Sequence, residues 1–160
     1  MGRGDLALSS GMLSFLQRAF ATPNLNQRVG PEAEPPGILA ITADLGFYCS
    51  VLNAASSCGW SADWGTSMNR GLEICGSKPI QIVIYDRNLP GVDWRDALNR
   101  LNAVAEHARI LLAAPRIDED LWHKVLGRRG YDVLVRSASS EQLKRELRFA
   151  WLSLRQPSNG

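Results

Sequence analysis

The chain has 160 residues, of which 45% are apolar and 21% are charged, and its formal net charge is +2. This length supports one globular domain with an appended arm, and the composition is that of an ordinary soluble protein. Because the net charge is so small, we expect no polyanionic partner and therefore no nucleic acid.

The chain contains three widely spaced cysteines, Cys49, Cys58 and Cys75. Their odd number and the absence of a C-x-x-C pair argue against a disulfide framework and against a zinc site. We interpret them as reduced thiols that fill the core. No stretch of the sequence is long and apolar enough for a signal peptide or a membrane span, so we expect a cytoplasmic protein without a membrane partner.

Residues 1–36 are predicted to form an N-terminal arm. Five apolar residues recur there at helical spacing: Leu8, Met12, Phe15, Leu16 and Ala19. This spacing predicts a short amphipathic helix that packs on the domain or on a second copy of the chain. A disordered start and a membrane-surface helix are the alternatives, although the polar face lacks the row of Lys and Arg typical of the latter. Residues 22–37 hold four prolines and two glycines, a composition typical of a linker.

From residue 37 onward the pattern predicts strands that alternate with helices. The predicted strands are 37–42, 61–67, 79–86, 108–114 and 131–136, and the predicted helices are 46–60, 68–77, 94–107, 118–130 and 139–155. Gly130 is a candidate for the residue that ends the fourth helix, and Ser139, Ser140 and Gln142 form a capping-box pattern before the last one. Such alternation predicts an α/β domain over 37–155, a five-stranded parallel sheet that is doubly wound into three layers. Residues 156–160 would be a flexible tail.

In an open parallel sheet the functional site lies at the carboxyl ends of the strands. The stretch QIVIYDRNLPG, residues 81–91, is an apolar strand that ends in Asp86 and a loop closed by Pro90 and Gly91. The other strand-end residues that can meet Asp86 are Thr42, Ala43, Asp44, Arg87, Asn88, Ala113, Ala114, Pro115, Arg136 and Ser137.

The strand and loop VIYDRNLPG resemble the most specific stretch of response-regulator receiver domains, the CheY-like phospho-acceptor modules of bacterial two-component signalling. The resemblance extends over residues 37–155 and implies the flavodoxin-like (βα)5 sandwich. It also implies that Asp86 takes a phosphoryl group from a sensor histidine kinase. A weakly held Mg²⁺ would then bind Asp86, the carbonyl of Asn88 and a displaced Asp44.

The pocket departs from the family pattern at several positions. Thr42 and Ala43 align with the family's adjacent acids, Ala113 with its small hydroxylated residue, Val133 with its aromatic switch residue and Arg136 with its lysine. Two interpretations stay open: Asp86 is a working acceptor, or it is a remnant in an atypical receiver. In the second case an ion pair with Arg136 would hold the loop in one fixed state, like an imitation of the phosphorylated form.

The fourth and last predicted helices carry a group of basic residues beside a tryptophan. We predict a partner face formed by Trp122, Lys124, Arg128, Arg129, Lys144 and Arg148. It would dock an acidic protein or a second copy of the chain. A solvated surface and core packing of Trp122 explain the same residues more simply.

The sequence therefore predicts a stand-alone signalling module of the phosphorelay type that acts through protein contacts and is not an enzyme. Its partner would be a sensor histidine kinase or another signalling protein, with a homodimer as a further candidate. A phosphorylation-independent docking or dimerisation module is the alternative. A small flavodoxin-like ligand-binding domain or enzyme is less favoured, because the chain lacks a glycine-rich phosphate loop and a nucleophile with a base at the strand ends.

Overall fold

The structure, a computed structural model, describes residues 34–155. One parallel sheet has the strand order β2-β1-β3-β4-β5. The strands are β1 Ile38–Ile41, β2 Asp63–Gly65, β3 Ile82–Asp86, β4 Arg109–Ala114 and β5 Asp132–Val135. The helices are α1 Leu45–Ser56, α2 Met68–Ser77, α3 Trp94–Val104, α4 Glu119–Gly127 and α5 Ser140–Arg155. The predicted doubly wound fold is confirmed, whereas the predicted arm helix and tail lie outside the described residues.

The helices cover both faces of the sheet. Helices α2, α3 and α4 pack on one face through residues such as Met68, Leu98 and Val125. Helices α1 and α5 pack on the other face through residues such as Val51 and Leu147. Strand β3 lies in the centre with all five of its residues buried, which explains its continuous apolar sequence. The strand order reverses between β1 and β3, and this reversal places a crevice at the carboxyl ends of these two strands.

Short polar side chains fix where the helices begin. Asp44, Ser67, Asp93 and Asp118 each accept a hydrogen bond from a backbone N–H in the first turn of α1, α2, α3 and α4. The predicted capping box of α5 is confirmed, because Ser139 N–H donates to Gln142 Oε1 while Gln142 N–H donates to Ser139 Oγ. The capping residue of α1 lies just after β1, so the cap also belongs to the crevice.

The predicted helix ends were less accurate. Helix α1 ends at Ser56 rather than at residue 60, and Gly59 adopts a φ of 77° in the turn that follows. The prediction that Gly130 ends α4 is wrong, because the helix ends at Gly127 and Arg129 adopts the left-handed conformation after it, with a φ of 61°. Gly130 meets a different requirement: a Cβ there would lie 2.3 Å from Val125 Cγ1. Close packing, not backbone freedom, therefore requires this glycine.

The three cysteines are free thiols, and the expectation that they fill the core is wrong for the exposed Cys49, whereas Cys75 packs against the core under α2, α3 and α4. Cys49 is exposed, and Cys58 and Cys75 are half-buried. Within residues 34–155, no helix combines the length and the apolar character that a membrane crossing requires.

Candidate functional site

Asp86 is the last residue of the central strand, and its residue surface is 3% exposed. Its strand neighbour on one side is Ala113 in β4. On the other side β1 runs beside β3, and Thr42 follows the last residue of β1. Because parallel strands end at the same edge of a sheet, the side chains of Thr42 and Asp86 come together there.

Both carboxylate oxygens of Asp86 have hydrogen-bond or ion-pair partners. Thr42 Oγ1 donates to Asp86 Oδ2 over 2.7 Å, and the backbone N–H of Asn88 donates to Asp86 Oδ1 over 2.9 Å. Arg136 Nη2 lies 3.4 Å from Asp86 Oδ2, within ion-pair distance. A buried carboxylate is costly unless it is paired and hydrogen-bonded, and Asp86 meets both conditions inside the protein.

Arg136 links two carboxylates that are far apart in sequence. Its Nη2 atom lies 2.6 Å from Asp44 Oδ2 and 3.4 Å from Asp86 Oδ2. The guanidinium carbon also lies 5.5 Å from the centre of the Phe47 ring, a cation–π arrangement. The Nε atom of Arg136 is buried and has no hydrogen-bond partner among the described residues. The guanidinium thus occupies the space between the two carboxylates and supplies a positive charge there.

Asp44 serves the helix as well as the ion pair. Its Oδ1 atom accepts the N–H of Phe47 and caps α1, while its own N–H donates to Thr42 Oγ1 over 3.0 Å. The hydrogen bond from the Phe47 N–H has the largest effect and lowers the pKa of the Asp44 carboxyl below its ordinary value. Desolvation opposes it in second place, and the positive charge of Arg136 adds to the lowering in third place. Thr42, Asp44, Asp86 and Arg136 therefore form one connected polar network, which we call the Asp86 network.

The residues at this site do not fit a bound Mg²⁺. The ion requires about six oxygen ligands in a nearly octahedral shell. Asp44 and Asp86 already share the guanidinium of Arg136, and the oxygens of Asp86 accept further bonds from Thr42 and Asn88. Within residues 34–155 there is no group of three or more His, Cys, Asp or Glu side chains that could hold a metal ion. A divalent cation would have to displace the arginine.

Several other predicted pocket residues take no part in the hydrogen bonds and ion pairs of the network among residues 34–155. Ala43 and Ser137 are exposed. Ala113 is buried in the core under α1 and α5, whereas Val133 is buried in the core on the opposite face. An alanine and a valine on opposite sides of the sheet offer no polar group and no ring that could follow a charge change at Asp86. The structure thus places no recognisable relay at these two positions.

Phe47 and Trp64 belong to the surroundings of the site and were not predicted from the sequence. Trp64 Nε1 donates to the carbonyl oxygen of Thr42 over 2.8 Å, and its ring stacks on Tyr48 with 4.9 Å between the centres. For Phe47 the sequence does hold a signal: Asp44 is a typical N-cap residue, and Phe47 follows three positions later, where a backbone N–H bonds such a cap. Through this hydrogen bond the Trp64 indole contacts the backbone of Thr42, whose side chain bonds Asp86.

The six residues of the predicted partner face lie on two faces of the sheet. Trp122 and Lys124 belong to α4, whose buried residues contribute to one core cluster. Lys144 and Arg148 belong to α5, whose buried residues contribute mainly to the other. Lys124 also pairs with Asp120 over 2.8 Å, and Trp122 Nε1 donates to Asp132 over 3.2 Å. A partner that touches all six would have to wrap around the β5 end of the sheet.

Comparisons with known proteins place this fold. No family model matches the chain. The transcriptional regulatory protein QseB of Escherichia coli is 33% identical over 79 residues, which are 49% of this chain and 36% of the regulator, so the match spans about a third of that relative. A signal receiver domain of an HD domain-containing protein from Pseudomonas fluorescens superposes with a TM-score of 0.70 at 19% identity, covering 80% of this chain and 95% of that chain.

The signal receiver domain of a putative LuxO repressor protein from Vibrio parahaemolyticus also has a TM-score of 0.70, at 14% identity and with coverage of 76% of this chain and 94% of that chain. Both structures superpose on the described domain. They confirm the predicted resemblance in fold to response-regulator receiver domains. At such identities a superposition establishes the fold, and function has to be argued from the site.

Proposed function

We propose that this chain is a receiver-like signalling module of the two-component type that acts through protein contacts and in which Arg136 keeps the Asp86 site closed. The observation that carries the proposal is the double contact of one guanidinium with Asp44 and Asp86. The receiver fold and the partial match to a transcriptional regulator support the signalling class. Under this proposal the module keeps one conformation and needs no phosphoryl group.

The chemistry of phosphoryl transfer supports a closed site. To accept the group, a carboxylate oxygen must approach phosphorus in line, and a cation must offset the charge of the two anions. Asp86 is 3% exposed, and neither of its oxygens is without a partner. The guanidinium already pairs with the carboxylate, so transfer would require Arg136 and Thr42 to release Asp86 first.

The second candidate function is a phosphorylation-dependent receiver with Asp86 as the acceptor. Its support is the position of Asp86 at the carboxyl end of the central strand, followed by a loop in which Gly91 has a φ of 87°. In that case Arg136 would move from the carboxylate to the phosphoryl oxygens. Such a change would alter the Asp86 network and the backbone that Trp64 contacts.

The domain limits and partners follow the same proposal. Residues 37–155 would be the folded unit, and a sensor histidine kinase or another signalling protein of the cytoplasm would be the partner. The module would act by binding, not by catalysing a reaction. The six residues of the partner face remain a prediction. Two groups of them are separate candidates for contact: those on and just after α4, Trp122, Lys124, Arg128 and Arg129, and those on α5, Lys144 and Arg148.

Tryptophan fluorescence of the full chain tests the choice between the two candidates. The protein is titrated with Mg²⁺ and then with beryllofluoride, which mimics a phosphoryl group on a receptive aspartate. We expect no saturable change, because Asp86 is already paired. A saturable change that Asp86→Asn abolishes would reject the closed site and favour a working acceptor.

Arg136→Met is the matched variant for this titration. It removes the guanidinium while keeping an unbranched apolar stem, so Asp44 and Asp86 lose the cation that they share. We expect this variant to bind Mg²⁺ more tightly than the parent. If both proteins bind the ion equally well, Arg136 does not close the site.

A further inference from the structure

An open cleft lies between the second half of α3 and the end of α4, and its volume is about 420 Å³. We call it the α3–α4 cleft. It is lined by Asn99, Asn102 and Ala103 on α3, by Gly127 at the end of α4, and by Arg128 and Arg129 in the turn that follows. Because this turn leads directly into β5, the cleft lies at the amino ends of the strands, at the edge of the sheet opposite Asp86.

Arg129 has a backbone conformation that ordinarily suits glycine. Its φ is 61°, and within residues 34–155 it is the one residue other than glycine with a positive φ. The left-handed region crowds the Cβ atom of an L-residue, so the arginine is held there at a cost in free energy. Glycine is the usual residue where a helix ends in this way. An arginine at this position indicates a use for its side chain.

Two guanidinium groups border the cleft without a partner. Within residues 34–155, neither the Arg128 nor the Arg129 side chain has a hydrogen bond or an ion pair. The carboxylates of α4, Glu119 and Asp120, lie in its first turn, at the opposite end of the helix. The cleft therefore presents positive charge that no described side chain pairs with.

Hydrogen bonds hold the two arginines in place before any partner arrives. Asn102 Nδ2 donates to the carbonyl oxygen of Arg128 over 2.8 Å and so joins the turn to α3. The backbone N–H groups of Arg128 and Arg129 donate to carbonyl oxygens in the last turn of α4, each over 3.1 Å. A turn that is already ordered loses less conformational entropy when it binds.

The cleft and Trp122 lie on different sides of α4. Trp122 Nε1 donates to Asp132, the first residue of β5, over 3.2 Å, so this side chain lies toward β5. The turn that holds Arg128 and Arg129 is instead bonded to α3 through Asn102. The two arginines therefore form a separate surface within the predicted partner face.

We propose that the α3–α4 cleft binds an acidic segment of a partner protein, whose carboxylates pair with Arg128 and Arg129. The planar guanidinium of arginine matches a carboxylate with two parallel N–H bonds. The amides of Asn99 and Asn102 line the same cleft and offer donors and acceptors to the backbone of the segment. The proposal rests on that part of the proposed function in which the module acts through protein contacts, and it names the chemistry of the partner.

Chemical-shift mapping by nuclear magnetic resonance tests this proposal on the full chain. The isotope-labelled protein is titrated with a short peptide of alternating glutamate and serine, and the same peptide with glutamine in place of glutamate is the control. We expect saturable shifts at the amides of Asn99, Asn102, Arg128 and Arg129 with the glutamate peptide alone, at concentrations on the order of 1 mM. Added salt should weaken this binding, because the pairs are exposed.

Other outcomes of the titration would overturn the proposal. Shifts centred on α5 would place the acidic segment on the other basic group. Equal shifts with both peptides would mean that charge does not select the partner. Inorganic phosphate is the third probe, and tighter binding of phosphate than of the glutamate peptide at the same residues would make the cleft a phosphate site.

Arg129→Gly is the variant that separates the side chain from the fold, because glycine adopts a φ of 61° without strain. Its unfolding midpoint should equal or exceed that of the parent, while the glutamate peptide should bind roughly threefold more weakly. The double variant Arg128→Gln, Arg129→Gln should bind roughly tenfold more weakly. Arg145→Gln, at an exposed arginine of α5, is the control and should bind like the parent. Equal affinity of the parent and both cleft variants would refute docking in the cleft.

Arg136→Met keeps this proposal distinct from that of the closed site. Arg136 follows β5 at the opposite edge of the sheet, so this variant should bind the peptide like the parent. Its Mg²⁺ binding tests the Asp86 network alone, whereas the peptide binding of Arg129→Gly tests the cleft alone. Weaker peptide binding in Arg136→Met than in Arg129→Gly would place the acidic segment at the Asp86 edge and overturn the proposal.

Discussion

Removal of the Arg136 guanidinium is the perturbation that tests the Asp86 network most directly. In the variant Arg136→Met the Asp86 carboxylate, whose side chain is 4% exposed, keeps its bonds to Thr42 and Asn88 but has no cation. Breaking a buried ion pair by removing one partner costs about 3–5 kcal/mol. The side chain of Arg136 is 23% exposed, so water screens part of the charge. We therefore expect the free energy of unfolding to fall by about 2–3 kcal/mol.

A double-mutant cycle separates the ion pair from the packing of the arginine stem. Asp86→Asn keeps the shape of the side chain and removes its charge. If the two charges interact as the distances indicate, the double variant should be less destabilised than the sum of the two single variants, by about 1–2 kcal/mol. The contact of Arg136 with Asp44 should contribute little, because Asp44 is exposed and water screens the pair.

The assay is urea unfolding followed by tryptophan fluorescence and by circular dichroism. The midpoint and the slope together give the free energy of unfolding. Arg87→Met is the control, because Arg87 is an exposed arginine next to Asp86 in sequence. The reasoning would be refuted if Arg136→Met and Arg87→Met had the same stability, or if the cycle gave no coupling.

Four further predictions concern three single residues. Burial, together with the negative charges of Asp86 and Asp93, raises the pKa of Tyr85 to about 12. Ultraviolet absorbance should therefore show that one tyrosine ionises at a higher pH than an ordinary tyrosine does, and the free energy of unfolding should fall as the pH rises from about 10 toward 12. The Tyr85 hydroxyl has no hydrogen-bond partner among the described residues. Tyr85→Phe should therefore leave the free energy of unfolding in urea unchanged or raise it by about 1 kcal/mol. A lower free energy of unfolding would mean that the hydroxyl forms a hydrogen bond. Because the pKa of Asp44 is lowered, its carboxylate stabilises the fold above pH 3.8, and this stabilisation is lost as the pH falls below that value. The variant Asp44→Asn should lack this part of the acid dependence of stability, and an acid unfolding profile equal to that of the parent would contradict the prediction. Gly130→Ala places a Cβ 2.3 Å from Val125 Cγ1 and should cost about 1–3 kcal/mol, measured by thermal unfolding, and an unaltered midpoint would mean that the backbone adapts.

Local sequence signals predicted the elements well where one physical cause dominated. The run of buried residues in Ile82–Asp86 has few alternatives to a central parallel strand, and Ser139 with Gln142 formed the expected capping box. The signals failed where two causes compete for one residue type. From the sequence, Gly130 is a candidate for the residue that ends α4. In the structure its close packing against Val125 requires a glycine, and Arg129 adopts the left-handed conformation.

By itself, the sequence determined that this chain alternates strands and helices, that Asp86 ends a strongly apolar strand, and that Thr42 and Ala43 follow the first strand. These properties depend on residues close together in the chain, whose periodicity and identity can be read directly. Only the tertiary structure decided what surrounds Asp86. Arg136 follows β5 and Asp44 follows β1, 92 positions apart, and their contact depends on how three strand ends and the first turn of α1 come together. Side chains that meet across a sheet leave no local pattern, so the contact of Arg136 with Asp44 and Asp86 could be suspected from charge but located only in the folded chain.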